Sequence, residues 1–157
     1  MRYSFTGPSR LTEDDEALVA FVVAGLAEPT EITTGGATGW DTEIARAALY
    51  VWPDVLHRIV TPGAKFNLAG VTECIDIARR EGVARFEVVT LPEPFRGGPS
   101  AAYRERNRMM VEACDVLCAA VRSSASEPRF YRSGEWMTVN LARSLGRPVQ
   151  FTRLAPS

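Results

Sequence analysis

The sequence predicts an α/β protein, a single Rossmann-like three-layer domain with a mostly parallel sheet. Segments of strand length alternate with segments of helical period, the order expected of parallel strands joined by crossover helices. The 157 residues are 46% hydrophobic, and a chain of this length usually builds one core. We therefore expect one domain spanning residues 1–157.

Six strands are expected along the chain. Five of them are short apolar segments bounded by turn residues, namely Arg2–Thr6, Glu31–Thr34, Leu56–Thr61, Phe86–Leu91 and Val116–Val121. A sixth closes the chain at Pro148–Thr152. The segment Leu91–Ser100 is rich in Pro and Gly and fits neither a strand nor a helix, so it is expected to be a loop.

Apolar residues three or four positions apart predict the helices between these strands. The stripes are Leu18, Val22 and Leu26; Ile44, Ala48 and Val51; Leu68, Val71, Ile75 and Ala78; and Met137, Leu141 and Leu145. An acidic run, Glu13–Glu16, follows Thr12 at the expected start of the first helix. A hydroxyl caps free N–H groups there and carboxylates suit the positive end of the helix dipole, which favours a helix start over a metal site.

Composition narrows the class of protein. The net charge is −1, from 18 basic and 19 acidic residues, so no global field attracts nucleic acid or an anionic membrane. The three cysteines form no C-x-x-C pair, which argues against disulfides and zinc. With no apolar run of about 18 residues to cross a bilayer and no signal peptide, we expect a cytoplasmic protein with no membrane partner, metal or cofactor.

A glycine-rich segment follows the second strand and opens a helix. It reads Thr33-Thr34-Gly35-Gly36-Ala37-Thr38-Gly39-Trp40-Asp41. Ligands of open α/β sheets gather where strands end and helices begin, and glycines let backbone N–H groups approach an anion. The segment is neither a G-x-G-x-x-G fingerprint nor a P-loop. It predicts a phosphate cradle, and a tight turn without a ligand is the alternative.

An arginine cluster, Tyr-Arg-Glu-Arg-Asn-Arg, occupies Tyr103–Arg108. On a helix Arg104 and Arg108 can share a face, but all three arginines cannot. The cluster therefore predicts one or two arginines directed into a pocket. The alternative is a solvated helix face paired with Glu105 and Glu112.

A second glycine-bearing loop, Tyr131–Thr138, opens the last helix. Two helix N-termini close together would surround one anionic ligand with N–H donors. Glu135 is a candidate acid, and it also fits a first-turn residue that stabilises the helix.

Aromatic residues beside these turns fit either stacking on a base or filling the core at loop ends; they are Trp40, Trp136 and Tyr131. The single histidine, His57, lies in a predicted strand without a nearby Ser, Cys or Asp arrangement that would make it a base. A structural role is expected for it.

At four segments the chain resembles the SLOG superfamily, which groups the Lonely Guy phosphoribohydrolases and the nucleotide-binding domain of DNA-processing protein A. The matching segments stand in order across nearly the whole chain, at Phe5–Arg10, Thr34–Asp41, Tyr103–Asn107 and Ser133–Thr138. The resemblance implies a Rossmann-like fold that binds nucleotides or nucleotide-derived ligands, often as a homodimer. The candidate ligand-binding residues are Gly7, Gly35, Gly36, Thr38, Gly39, Arg106, Asn107, Ser133, Gly134 and Thr138.

The resemblance does not fix an activity. In the Lonely Guy enzymes an arginine and a glutamate serve N-glycosidic cleavage, and the glutamate follows a P-G-G-x-G-T turn. Arg106 matches the arginine, whereas Val139-Asn140 stands where the glutamate is expected. The leading hypothesis is therefore a nucleotide-binding module or sensor with Arg106 as the phosphate counter-ion.

Two other functions, an N-glycosidase and a DNA-binding factor, make different demands on the sequence. An N-glycosidase acting on a nucleoside monophosphate would need a carboxylate, supplied by Glu135 or Asp41. A DNA-binding factor would need a basic stripe interleaved with aromatic residues, and only the cluster at positions 104 to 108 is basic. The sequence therefore argues against nucleic acid as a partner and for a nucleotide-derived small molecule.

Overall fold

A parallel sheet with helices on both faces organises the computed structural model, which describes residues 1–63, 69–91, 97–122 and 134–156. The elements are β1 (Arg2–Thr6), α1 (Glu13–Ala24), β2 (Glu31–Thr34), α2 (Trp40–Val51), β3 (Leu56–Thr61), α3 (Ala69–Arg80), β4 (Phe86–Thr90), α4 (Gly98–Ala113), β5 (Val116–Arg122), α5 (Gly134–Ser144) and β6 (Val149–Leu154). The predicted fold class is confirmed, and the sheet is wholly parallel in the part described.

The strand order is β4-β3-β2-β1-β5-β6, so the direction of winding reverses between β1 and β5. In the register, Ser4 of β1 lies beside Thr33 of β2 and Leu117 of β5. Open α/β sheets bind ligands outside the carboxyl ends of the strands at such a reversal. β1, β2 and β5 all end at this edge.

Alternate residues of β5 belong to different cores. Val116, Cys118 and Ala120 pack with Val19 of α1 and Ile44 of α2. Their neighbours Leu117, Ala119 and Val121 pack with buried residues of α4 and α5, among them Val111, Trp136 and Val139. Because successive side chains of a strand point to opposite faces, α1 and α2 lie on one side of the sheet and α4 and α5 on the other.

The predicted apolar stripe lies beside the most buried face in two helices. In the first, Val19 and Val23 are the buried apolar residues of α1; the predicted Leu18 and Val22 pack against the core while partly exposed, and Leu26, just beyond α1, is buried. Most of α1 beyond its acidic first turn is apolar, so its sequence marks no single face. In α5 the buried apolar residues are Trp136, Val139 and Ala142, whereas the predicted Met137 and Leu145 are exposed and Leu141 is partly buried.

The other two stripes are correct in part. Ile44 and Ala48 of α2 are buried, as are Val71 and Ala78 of α3. Val51 is exposed, Ile75 is partly buried, and Leu68 lies outside the described residues. Residues 92–96 of the expected Pro- and Gly-rich loop also lie outside them, and the prediction is wrong for Gly98–Ser100, which belong to α4 because proline fits the first turn of a helix.

The first helix begins at the acidic run that follows Thr12, as predicted. The Thr12 hydroxyl accepts a hydrogen bond from the Asp15 N–H at 3.2 Å, and the Asp15 carboxylate accepts one from the Thr12 N–H at 2.8 Å. Asp15 is also buried against Arg122 of β5, whose guanidinium donates to the Arg10 carbonyl at 3.0 Å. Burial opposes ionisation, but the bonds from Arg122 and Thr12 lower the pKa of Asp15 overall. Arg122 thus fixes the turn after β1.

Several predicted residues have plain structural environments. His57 is buried with Nε2 at 2.7 Å from the Trp52 carbonyl oxygen, which fits a structural role. Trp40 and Trp136 are buried in the two cores, and Tyr131 lies outside the described residues. The three cysteines are buried and unbridged.

Within the described ranges, no helix could span a membrane and no cluster of His, Cys, Asp or Glu could hold a metal ion.

Candidate functional site

The glycine turn after β2 is held from two sides. The Gly35 N–H donates to Asp41 Oδ2 at 3.2 Å, and Arg106 Nη1 donates to the Gly35 carbonyl oxygen at 2.6 Å. Asp41 stands in the first turn of α2 and Arg106 in the middle of α4. The turn therefore joins two charged side chains that are 65 positions apart in the sequence at the carboxyl edge of β2.

Close approach of these charged groups requires glycine at position 35. A Cβ on Gly35 would lie 2.6 Å from Arg106 Nη1 and 2.8 Å from Asp41 Oδ2, both shorter than a van der Waals contact. Any side chain here would push the carboxylate or the guanidinium away from the turn. The glycine predicted as part of a phosphate cradle thus has a second, structural reason to be glycine.

Gly7 and Gly39 bring the turn after β1 onto the start of α2. A Cβ on Gly7 would lie 2.4 Å from Trp40 Cγ, and one on Gly39, which has φ +91°, would lie 2.5 Å from the Ser9 carbonyl oxygen. The Trp40 N–H also donates to the Pro8 carbonyl at 3.0 Å. Tight packing therefore accounts for both glycines.

Arg106 is the inward-facing member of the arginine cluster. Its side chain is buried, and Nε donates to Asn107 Oδ1 at 2.8 Å. Its guanidinium carbon lies 5.3 Å from the centre of the Tyr103 ring, within range of a cation–π contact. Arg104 and Arg108 are exposed, so one arginine of the three faces the interior. Burial lowers the pKa of Arg106, but a guanidinium stays charged in proteins.

Asp41 is the strongly perturbed carboxyl group of this site. It is 6% exposed, and burial raises its pKa to about 6 against the opposing effects of Arg106 and the N–H groups of Gly35 and Ala37. The charge of Glu135 raises the pKa further. A buried titratable group with a specific charge partner at the ligand-binding edge of the sheet is typical of a functional site.

Unpartnered polar atoms concentrate in the same segment. Within the described part of the chain, the buried side-chain atoms without a hydrogen-bond partner are Thr34 Oγ1, Trp40 Nε1 and Asp41 Oδ1. All three belong to Thr34–Asp41, the predicted cradle. Because buried polar groups in folded proteins are nearly always bonded, this concentration marks the segment as unusual.

The start of α5 lies near this site. Glu135 is in the first turn of α5 and is half-buried, and its charge acts on Asp41. Gly134 is the first residue of the helix, Thr138 is buried, and Ser133 lies outside the described residues. Through the charge of Glu135, the first turn of α5 therefore acts electrostatically on Asp41.

Two other predicted ligand residues have surroundings that differ from those of Gly35. Thr38 is exposed. A Cβ on Gly36, which has φ +69°, would meet Ile59 and Val71, so this residue faces the core between β3 and α3. The chemistry-bearing centre is therefore Gly35, Asp41 and Arg106, with Asn107 and Glu135 beside it.

Sequence reasoning missed two residues that shape the site. Tyr103 lies against the Arg106 guanidinium, and its position three residues before Arg106 on a helix is a signal that could have found it. Arg122 fixes the Arg10 carbonyl and Asp15. Its distance of 107 positions from Asp15 leaves no local signal.

Comparison with known proteins identifies the fold. No family profile and no curated protein sequence matches the chain. The structure is similar to DNA processing protein A from Streptococcus pneumoniae, with TM-score 0.68 and 21% identity over 96% of this chain and 49% of that one. It is also similar to DNA processing protein A from Helicobacter pylori, with TM-score 0.68 and 18% identity over 96% of this chain and 64% of that one. The resemblance found in the sequence is confirmed at the level of the fold.

The expectation that nucleic acid is not a partner is contradicted by these neighbours. The Helicobacter pylori structure describes a mode of single-stranded DNA binding, and its protein shares this fold. The expectation rested on the net charge of −1 and on basic residues being clustered only at positions 104 to 108, but net charge averages over the whole surface and does not report on local basic groups. It gives no reason to exclude nucleic acid for this fold.

Proposed function

Because the chain has the fold of DNA processing protein A, we propose that it binds a nucleotide at the carboxyl edge of β2, with the phosphate at Arg106. The observation that carries the proposal is the concentration of unpartnered buried polar atoms in Thr34–Asp41, beside a buried arginine. A ligand bound there would supply a partner for Asp41 Oδ1. The nucleotide is either free or part of single-stranded DNA.

The donor for the phosphate in this proposal is Arg106 of α4. The Gly35 and Trp40 N–H groups are bonded within the protein, so they are not offered to a ligand. Arg106 uses Nη1 and Nε internally and retains the two N–H groups of Nη2.

A thermal-shift panel tests the proposal. Nucleoside monophosphates, a nucleotide sugar and a thymidine oligonucleotide should raise the melting temperature by mass action, and free nucleosides should do so much less. Comparing the monophosphates with the oligonucleotide separates a free nucleotide from single-stranded DNA. If no phosphorylated compound produces a shift at millimolar concentration, the proposal is wrong.

Arg106 variants locate the binding site. Arg106→Ala should weaken binding of the best compound about tenfold or more, because a hydrogen bond to a charged group is worth about 1.5 to 3 kcal/mol. Arg106→Lys should restore affinity in part, since lysine keeps the charge without the planar fork. Arg79→Ala removes an exposed charge on α3, on the other face of the sheet, and should bind like the wild type. Equal calorimetric affinities for Arg106→Ala and the wild type would refute the assignment.

A second candidate function is N-glycosidic cleavage of a nucleoside monophosphate. The observation in its favour is the raised pKa of Asp41, about 6, because a carboxyl group titrating near neutral pH suits general acid–base catalysis. Glu135 is the other carboxylate near Asp41. Release of free base by the purified protein is the test, with Asp41→Asn and Glu135→Gln as the variants.

A further inference from the structure

One oxygen of Asp41 is buried without a partner although the other is bonded. Oδ2 accepts the Gly35 N–H at 3.2 Å, whereas Oδ1 has no hydrogen-bond partner. The side chain is 6% exposed, so bulk water does not solvate this oxygen. Leaving a buried acceptor unsatisfied is costly, and such a group in a folded protein calls for a specific partner.

A phosphate is a poor partner for this oxygen. At neutral pH a phosphate ester carries negative charge, and an ionised carboxylate can only accept hydrogen bonds. Arg106 lies on the same side of Gly35, since a Cβ there would contact both Arg106 Nη1 and Asp41 Oδ2. The site therefore offers a cation and an acceptor side by side, which fits a ligand with an anionic group close to an O–H donor.

A nucleoside monophosphate with free sugar hydroxyls has this combination. We propose that Asp41 Oδ1 accepts a hydrogen bond from a ribose hydroxyl of the nucleotide whose phosphate is held at Arg106. The inference rests on the proposed function and goes further by naming a ribonucleotide as the ligand class. Asp41 is then a specificity-determining residue that distinguishes ribose from deoxyribose.

Glu135 agrees with this role. It is the other acidic group whose charge acts on Asp41, and together the two carboxylates repel a second anion from this end of the site. The phosphate is thereby directed to the Arg106 end and the neutral sugar to the Asp41 end. Asn107, bonded to Arg106 Nε, fixes the guanidinium in its present orientation.

The test combines deletion of ligand hydroxyls with variants of Asp41. Titration calorimetry at pH 8 measures adenosine 5′-monophosphate and its 2′-deoxy, 3′-deoxy and 2′,3′-dideoxy forms, with the uridine series in parallel. For the wild type, at least one single hydroxyl deletion should weaken binding about tenfold to a hundredfold. In Asp41→Ala the same deletion should have almost no effect. In Asp41→Asn, which preserves the shape of the side chain, it should cost less than about threefold.

The control variant is Asp76→Asn, which removes an exposed carboxylate on α3 and should keep the wild-type discrimination. If ribose and dideoxyribose nucleotides bind the wild type equally, the inference is wrong while the proposed function stands. If the wild type and both Asp41 variants discriminate equally between nucleotides with and without the hydroxyl, the inference is also wrong, because another residue then binds that hydroxyl. Tighter binding of every nucleotide by Asp41→Asn, regardless of hydroxyls, would show that position 41 contacts the phosphate. If no mononucleotide binds, the inference is wrong, and the proposed function then stands or falls with the oligonucleotide in the thermal-shift panel.

Discussion

Replacing Asp41 by Asn should remove one distinct contribution to the pH dependence of folding. The pKa of Asp41 is about 6 in the folded protein, against an ordinary value of 3.8, so the folded state binds this proton more tightly than the unfolded chain. The stabilisation is complete below the ordinary pKa and is lost as the pH rises through about 6. This direction is opposite to that of Asp15 and Asp115, whose pKa values are lowered by their arginine partners.

The size of the effect follows from the two pKa values. Moving a pKa from 3.8 to about 6 corresponds to about 3 kcal/mol of unfolding free energy, at 1.36 kcal/mol per pKa unit. Between pH 8 and pH 4 the linkage relation develops most of that amount. Asn at position 41 does not titrate, so the variant lacks this contribution.

Urea denaturation of the wild type and Asp41→Asn at pH 4, 5, 6, 7 and 8 measures the effect. The quantity of interest is the difference in unfolding free energy between the two proteins at each pH. Contributions of the other titrating groups are common to both and cancel. Relative to the wild type, the variant should gain about 2 kcal/mol on going from pH 4 to pH 8.

Asp41→Ala serves as the second variant because it also removes the titrating group but leaves a cavity. Its difference in unfolding free energy from the wild type should follow the same pH dependence as that of Asp41→Asn. The cavity should add only a constant offset. A difference that stays constant within about 0.5 kcal/mol across the range would mean that Asp41 is not a buried carboxyl of raised pKa. The argument for its part in the site would then fail.

The remaining predictions concern the turn, the ion pair and the activity. Gly35→Ala should lower the unfolding free energy by about 1 to 3 kcal/mol and weaken nucleotide binding. Gly82→Ala, with open space around its Cβ and φ +67°, should cost about 1 kcal/mol and leave binding unchanged; equal effects on binding would contradict the Gly35 contacts. Arg122→Ala leaves Asp15 buried without its charge partner and should cost about 3 kcal/mol, whereas Arg108→Ala breaks only the exposed pair with Glu112 and should cost much less; urea denaturation measures both. A chromatographic assay with nucleoside monophosphates should detect little or no free base; fast release that disappears in Glu135→Gln or Asp41→Asn, with binding retained, would establish the N-glycosidase instead.

The fold could be predicted because its signals are local. The predicted ends of every strand agree with the observed ends to within one or two residues. β5 is an apolar segment with six consecutive buried residues, the pattern of a strand covered on both faces. Helix faces were less predictable. Met137 and Leu145 keep a regular spacing with Leu141 but remain exposed, because the orientation of a helix is decided by what packs against it.

The site was only partly predictable. Glycine turns and the arginine cluster directed attention to Gly35, Asp41 and Arg106, but not to the way they meet. Helical spacing could not show which arginine is buried. The hydrogen bonds of Asp41 and Arg106 to Gly35 depend on α2 and α4 lying over the same strand end. The expectation that nucleic acid is not a partner was wrong because net charge describes the whole chain and not a local surface.

The central claim is that a nucleotide binds at the carboxyl edge of β2. The most direct measurement is a titration of the ¹⁵N-labelled protein with adenosine 5′-monophosphate, and separately with a thymidine oligonucleotide, followed through backbone amide shifts. The account predicts that Gly35, Asp41, Arg106 and Glu135 shift together with one dissociation constant for at least one compound, while the amides of α3 stay in place. Saturable shifts centred on α3 or α1, with these four amides unmoved, would contradict it.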